Sequence, residues 1–259
     1  MKDKLIIIKV GGAILNDDKI FKAFLNNFSK IEEKKLLIHG GGIIASNYMI
    51  RLGIPPKFIN GRRITDEKTL DVAIMTYAGL INKKIIAQLQ KLNCNSIGLS
   101  GADCNLIKSK KREIKDIDFG LVGDITQINV NFINNLIKSN IHPVICSVSH
   151  DGNGQLLNTN ADTIASKFAI ELSSNFEVTL KFCFDKVGVL TKQDDPSTII
   201  SSINLNDYEN LINQNIITNG MIPKIENCFN ALKKGVKNIL IGDYNIIKNE
   251  KDCTKLTLK

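Results

Sequence analysis

The chain has no long hydrophobic run. Its first apolar stretch, Leu5 to Ile8, stops at Lys9; that is too short for the apolar centre of a signal sequence, and no small-residue cleavage site follows. A cytoplasmic protein without a membrane span is the expectation. Cys-x-x-Cys is also missing. The six cysteines (Cys94, Cys104, Cys146, Cys183, Cys228 and Cys253) are scattered and mostly sit in apolar patterns, so they read as reduced core thiols rather than a metal or redox centre. No glycine-lysine-Ser/Thr sequence occurs, which excludes a Walker A loop. A strict Gly-x-Gly-x-x-Gly is absent too. The alanine-ended variant Gly40-Gly41-Gly42-Ile43-Ile44-Ala45 is by itself a weak dinucleotide signal. The one dense basic cluster, Lys108-Ser109-Lys110-Lys111-Arg112, lacks interleaved aromatics and is followed by Glu113. It reads as a solvated hairpin, and the net charge of +8 is met equally well by small anionic substrates as by nucleic acid. No internal repeat stands out.

What is present is an ordinary globular composition, with 259 residues, 43% hydrophobic and 23% charged, enough for one large core or two modest ones. Strand and helix patterns alternate from the start, which predicts an α/β protein: a three-layer αβα sandwich with a largely parallel central sheet. Strands are expected at Leu5 to Val10, Leu36 to Ile38, Ser96 to Ser100, His142 to Val148, Glu177 to Phe184, Asn238 to Gly242 and Lys255 to Leu258. Helices are expected near Asp18 to Phe28, from the Gly40-Gly41-Gly42 turn to about Arg51-Leu52-Gly53, Val130 to Ser139, from the segment Asn158 to Asp162 to about Leu172, Asn206 to Asn213, and Pro223 to Lys234. The longest helix, capped by Thr65-Asp66-Glu67 and running to about Leu92, carries apolar residues on more than one face, as a helix packed on two sides would. Asn60-Gly61 supplies a hairpin turn between Phe58 and Thr65. Asn105 to Lys115 and Asp118 to Asp124 read as further hairpin elements. Ser173-Ser174-Asn175 is the best linker candidate, dividing residues 1–174 from residues 175–259.

Lys9 is out of place at the C-terminal end of a strand fit for burial, where its charge must meet an anion or reach water. Gly11-Gly12 follows it, and His39-Gly40-Gly41-Gly42 follows the next strand, so two glycine turns open helices side by side, as a phosphate cradle requires. Asp162 opens a helix, Lys224 follows the helix-starting Pro223, and Arg63 stands beside the Asn60-Gly61 hairpin. Each alone has an ordinary explanation: a lysine snorkelling at a strand end, a carboxylate at a helix start, an arginine on the surface.

Taken together and in order, Lys9-Val10-Gly11-Gly12, His39-Gly40-Gly41-Gly42, Asn60-Gly61-Arg62-Arg63-Ile64-Thr65, Asn158-Thr159-Asn160-Ala161-Asp162 and Gly220-Met221-Ile222-Pro223-Lys224 resemble the motif series of the amino acid kinase family, in its acylglutamate-phosphorylating branch. The resemblance implies a fold of two lobes, with residues 1–174 binding the acyl amino acid and forming the dimer and residues 175–259 binding ATP. It implies transfer of a phosphoryl group from ATP, carried with Mg²⁺, to the γ-carboxylate of N-acetyl-L-glutamate in arginine biosynthesis. By the same resemblance Lys9 and Lys224 stabilise the transition state and Asp162 orients them. Gly41, Gly42, Arg63 and Asn158 hold the acyl amino acid. Gly11, Gly12, Asp185, Lys186, Val187, Gly188, Val189, Leu190, Ile216, Ile217 and Thr218 lie along the nucleotide, and no residue is a primary metal ligand. A homodimer is expected, insensitive to arginine because only eight residues precede Lys9. A kinase for a related acylated amino acid and a non-catalytic sensor are the alternatives. Two places depart from the family pattern: Cys253-Thr254 stands where a Gly-Thr pair is common, and Phe184 where small polar residues are common.

Overall fold

A computed structural model of the chain describes residues 2–59, 61–192, 195–218 and 221–259. The strands are β1 (Lys4–Val10), β2 (Lys34–His39), β3 (Phe58–Ile59), β4 (Arg62–Arg63), β5 (Ser96–Leu99), β6 (Ile107–Lys111), β7 (Gly123–Ile128), β8 (His142–Cys146), β9 (Val148–His150), β10 (Leu156–Asn158), β11 (Glu177–Cys183), β12 (Ser202–Ile203), β13 (Asn238–Gly242) and β14 (Thr254–Leu256). The α-helices are α1 (Gly12–Asn16), α2 (Asp18–Ser29), α3 (Gly42–Arg51), α4 (Glu67–Ile74), α5 (Asn82–Lys91), α6 (Val130–Lys138), α7 (Ala161–Leu172), α8 (Leu205–Asn213) and α9 (Ile222–Lys233). None of the described helices is long and apolar enough to cross a membrane.

Eight strands form one sheet in the order β12-β14-β13-β11-β1-β2-β8-β5. All neighbours run parallel except β13 and β14. The alternation of side chains along β1 makes the three layers. Leu5 and Ile7 face a core shared with Ile133 of α6, Phe168 of α7, Leu211 of α8 and Ile225 of α9. Ile8 and Val10 face a second core shared with Phe24 of α2, Ala45 of α3 and Ile85 of α5. Each fully buried Leu or Ile of this strand contributes roughly 1.5–3 kcal/mol, so β1 is anchored from both faces. Lys9 has the parity of Leu5 and Ile7, which turns its side chain toward α7 and α9. The same β1 pairs in register with β11, so residues 1–174 and 175–259 share one continuous sheet.

Two expectations are revised. The long helix is not one α-helix: Met75–Ile81 is a π-helical segment between α4 and α5, and Asp66 caps the start by accepting from the Thr69 amide at 2.8 Å. The segment His142 to Val148 splits at Ser147, with β8 in the large sheet and β9 in a smaller sheet of order β10-β9-β6-β7. An apolar run cannot reveal such a change of sheet, because both halves are buried. The short α1 and β12 carried no periodicity long enough to read. In the β3–β4 hairpin Gly61 takes φ +72°, while Asn60, the first residue of the expected turn, lies outside the described residues, as does Gly220 ahead of α9.

Candidate functional site

The C-terminal ends of the parallel strands lie together, and ligands of open α/β sheets bind at that edge. β1 and β2 are neighbours, so the Gly11-Gly12 and Gly40-Gly41-Gly42 turns stand side by side; a Cβ on Gly12 would touch the Ile43 side chain at 3.5 Å. Gly41 is closely approached by its neighbours. A Cβ there would lie 2.2 Å from Ile81 Cδ1 and 3.0 Å from Tyr77 Cδ1, both from the π segment that presses on the turn.

His39 pins this turn from behind. Asn82, the first residue of α5, donates its side-chain amide to Val144 O at 3.0 Å and to His39 Nε2 at 3.1 Å. Nε2 is thereby an acceptor, which leaves Nδ1–H to donate to Gly40 O at 2.8 Å. Burial pushes the His39 imidazole down to about 4, so it stays neutral and keeps this tautomer near pH 7.

Two helix starts bring the charged groups in. Asn160 caps α7, its side chain accepting from the Thr163 amide at 3.0 Å, which sets Asp162 in the first turn. Pro223 starts α9 and sets Lys224 likewise in the first turn. Lys9 Nζ lies 2.8 Å from Asp162 Oδ1 and Lys224 Nζ lies 3.7 Å from Asp162 Oδ2. Side-chain exposures of 11%, 17% and 21% for Lys9, Asp162 and Lys224 make this a largely desolvated triad. Burial works against the Asp162 carboxylate, yet the charges of Lys9 and Lys224 overcome it and hold the group below its ordinary value. Burial lowers Lys224, Asp162 opposes the shift, and repulsion from Lys9 adds to it.

Asp162 and Lys224 line a cleft of about 360 Å³ together with Gly41, Gly42, Arg63 and Asn158. Arg63 donates to Gly42 O and Ser46 Oγ, both at 2.8 Å, and to Met49 Sδ at 3.0 Å, and its guanidinium stacks on Phe58 at 4.6 Å. Asn158 donates to Thr65 Oγ1 at 3.0 Å. Arg62 and Arg112 also line the cleft, so four cationic side chains face a single carboxylate there among the described residues. The sequence pattern puts Arg112 in a solvated hairpin. It is instead half-buried, paired with Asp124 at 2.6 Å and set over the Phe119 ring, because the segment that connects β6 and β7 lines the cleft with Arg112, Phe119 and Val122. Its approach to the cleft depends on that tertiary fold, and no local pattern encodes it.

Gly11, Gly12 and the segment Asp185 to Leu190 lie at the same sheet edge but outside this cleft. Gly11 donates its amide to Cys183 O at 2.9 Å. Asp185 and Lys186 are exposed after β11, whereas Val189 and Ile217 are buried in the core. Gly188 is tied to Thr254: a Cβ would lie 2.7 Å from Thr254 Oγ1, which accepts from the Val189 amide at 2.8 Å and donates to Ile200 O at 2.7 Å. Thr254 thus shapes this loop although Cys253 precedes it. Ile216 to Thr218 leads into α9, with the Met221 amide donating to Thr218 O at 2.8 Å.

Residues 4–243 match the model of the amino acid kinase family. The chain is 49% identical over 241 residues to an acetylglutamate kinase of Phocaeicola vulgatus, covering 93% of this chain and 94% of that one. It is 46% identical over 249 residues to an acetylglutamate kinase of Parabacteroides distasonis, covering 96% and 98%. The crystal structure of smu.665 from Streptococcus mutans UA159 superposes with a TM-score of 0.82 at 26% identity, covering 100% of both chains.

Proposed function

The chain belongs to the amino acid kinase family, and we propose that it transfers the γ-phosphoryl group of ATP to the γ-carboxylate of N-acetyl-L-glutamate. The observation that carries this reading is the Lys9, Asp162, Lys224 triad, of which Asp162 and Lys224 line a cleft with a surplus of cationic side chains. A carboxylate oxygen is already a nucleophile. It forms the new bond to phosphorus, the bond from phosphorus to the bridging oxygen breaks, and ADP leaves with the electron pair. No general base is needed, so positioning and charge neutralisation dominate.

We assign Lys9 and Lys224 to the equatorial phosphoryl oxygens and Asp162 to holding both lysines in place. Gly41, Gly42, Arg63 and Asn158 receive the acyl amino acid. Gly11, Gly12, Asp185 to Leu190 and Ile216 to Thr218 receive the nucleotide, so that residues 1–174 serve chiefly the acceptor and 175–259 chiefly the donor. Magnesium belongs to this reading as part of magnesium–ATP. The carboxylate of Asp162 is engaged by two lysines. When bound, the ion would neutralise nucleotide charge.

A coupled ADP-release assay with a set of acylated glutamates tests the reading. The largest kcat/KM is expected for N-acetyl-L-glutamate. Arg62 and Arg112 at the cleft favour a second reading, in which the acyl group carries its own carboxylate as in N-succinyl-L-glutamate. A clear preference for that substrate would reverse the choice, and binding without ADP release from any of them would make the chain a sensor.

Arg63 is expected to pair with a substrate carboxylate, because its guanidinium is fixed in orientation by Gly42, Ser46 and Phe58. Arg63→Lys should raise KM for the acyl amino acid by roughly ten- to a hundred-fold, the worth of a charge-assisted bidentate pair, with KM for ATP little changed. The exposed neighbour Arg62, replaced by lysine, should cost much less; the reverse ranking would exchange their roles.

We also propose a homodimer built on the segment from Glu67 to Lys91. Met75 on it is 56% exposed, and Ile50 on the adjoining α3 is 64% exposed. Light scattering should give the mass of two chains for the native protein and of one chain for the Ile50→Glu, Met75→Glu double variant. A double variant that stays dimeric would place the contact elsewhere.

A further inference from the structure

We infer that Phe184 is a positioning residue for the phosphoryl-transfer site, its aromatic face supporting both lysine ammonium groups before the nucleotide arrives. The inference rests on the kinase reading above, since it concerns the same two lysines. Phe184 directly follows β11, and its amide donates to Gly242 O at 2.8 Å, which fixes the backbone. The ring lies parallel to that of the fully buried Phe182, with an interplanar angle of 2° and centroids 6.2 Å apart. From this fixed position the Phe184 centroid lies 3.5 Å from Lys224 Nζ and 5.1 Å from Lys9 Nζ. One ring therefore meets the two ammonium groups that Asp162 also meets.

Electrostatics explains why an aromatic ring suits this place. Lys9 and Lys224 bring two positive charges and Asp162 returns one negative charge, so the empty triad is short of compensation in a largely desolvated setting. A second carboxylate would balance the sum but would then repel the incoming phosphates. The π face of a ring attracts cations through its quadrupole, carries no net charge and accepts no strong hydrogen bond. It steadies the lysines and leaves their protons available to the phosphoryl oxygens.

The titratable groups facing Lys224 are Asp162 on α7, Lys9 on β1 and Cys228 on its own helix. Cation–π attraction stabilises the charged form of Lys224, so removing the ring should make that ammonium easier to deprotonate.

Two variants and one measurement on the unmutated chain test this. Phe184→Leu keeps apolar volume and removes the π face; Phe184→Tyr keeps the face. The leucine variant should lower kcat by roughly three- to thirty-fold and move the basic limb of the kcat–pH profile toward acid by about 0.5 to 1 pH unit. KM for the acyl amino acid should stay within roughly two-fold, and tyrosine should restore both kcat and the limb. In the native protein, ring currents should place one lysine ε-methylene resonance upfield, and Lys224→Arg should remove it. The inference is overturned by a leucine variant with native kcat and native pH profile, by a tyrosine variant as impaired as the leucine one, or by absence of the shifted resonance. The last outcome decides even if Phe184→Leu does not fold. A native protein that releases no ADP with any acylated glutamate would instead defeat the kinase reading, while the resonance still reports whether the ring holds the lysine.

Discussion

Lys9→Ala is expected to lower kcat by roughly 10²–10³, the usual effect of removing one preorganised donor to developing charge, with KM for the acyl amino acid nearly unchanged. The reasoning runs from the parity of β1. Lys9 shares the face of Leu5 and Ile7, and the strand is fixed in register by β2 and β11, so the ammonium group has little freedom to relax elsewhere. Its 2.8 Å contact to Asp162 shows where that fixed geometry delivers the charge. An interaction that strengthens as charge moves onto the phosphoryl oxygens affects kcat, whereas a contact made equally in the ground state would appear in KM. Steady-state kinetics with the acyl amino acid varied at saturating ATP separates the two. Near-native turnover in the alanine variant would remove Lys9 from the reacting centre.

Asp162→Asn is expected to cost a comparable factor in kcat through a different cause. The amide keeps the shape of the side chain and loses its charge, so Lys9 and Lys224 repel each other without compensation and move apart. Lys224, already lowered by burial, loses the partner that opposes that shift and deprotonates at lower pH, so the basic limb of the activity profile should move toward acid. Stability carries a second signature. The Asp162 carboxyl is held below its ordinary value in the folded chain, so its contribution is present above the unfolded value of about 3.9 and is lost as pH falls through the lower folded value. Native protein should therefore lose stability below about pH 4 through a component that Asp162→Asn lacks, as melting temperatures from pH 7 down to pH 3 would reveal. If the variant's main defect were loss of magnesium–nucleotide binding with kcat intact, Asp162 would be acting on the nucleotide rather than on the lysines.

Much of this arrangement is legible in the sequence because it is local. Strand β1 reads directly from Leu5 to Val10, the starts of α7 and α9 from the segment Asn158 to Asp162 and from Pro223, and the glycine turns from their position after apolar strands. Charged residues at strand ends and helix starts stand out because burial there demands a partner. What could not be read is what tertiary packing decides. The π segment Met75–Ile81 interrupts a pattern that is helical by composition, and only the structure shows its Ile81 and Tyr77 pressed against Gly41. The split between β8 and β9 leaves no trace in an apolar run. Arg112 reaches the cleft because the segment connecting β6 and β7 lines it, and the stacking of Phe184 beneath two lysines depends on the pairing of β11 with β1. The motif resemblance carried the reading past these gaps by linking five short segments that lie far apart in the chain.

If the γ-carboxylate itself takes the phosphoryl group, the product is an acyl phosphate, which reacts with hydroxylamine to give a hydroxamate. The native protein is incubated with N-acetyl-L-glutamate, magnesium–ATP and hydroxylamine, and hydroxamate formed is compared with ADP released. Equal amounts of the two are expected, each requiring both substrates, and both should be lost in Lys9→Ala. ADP release without hydroxamate, or at the same rate without the acyl amino acid, would contradict transfer to the γ-carboxylate.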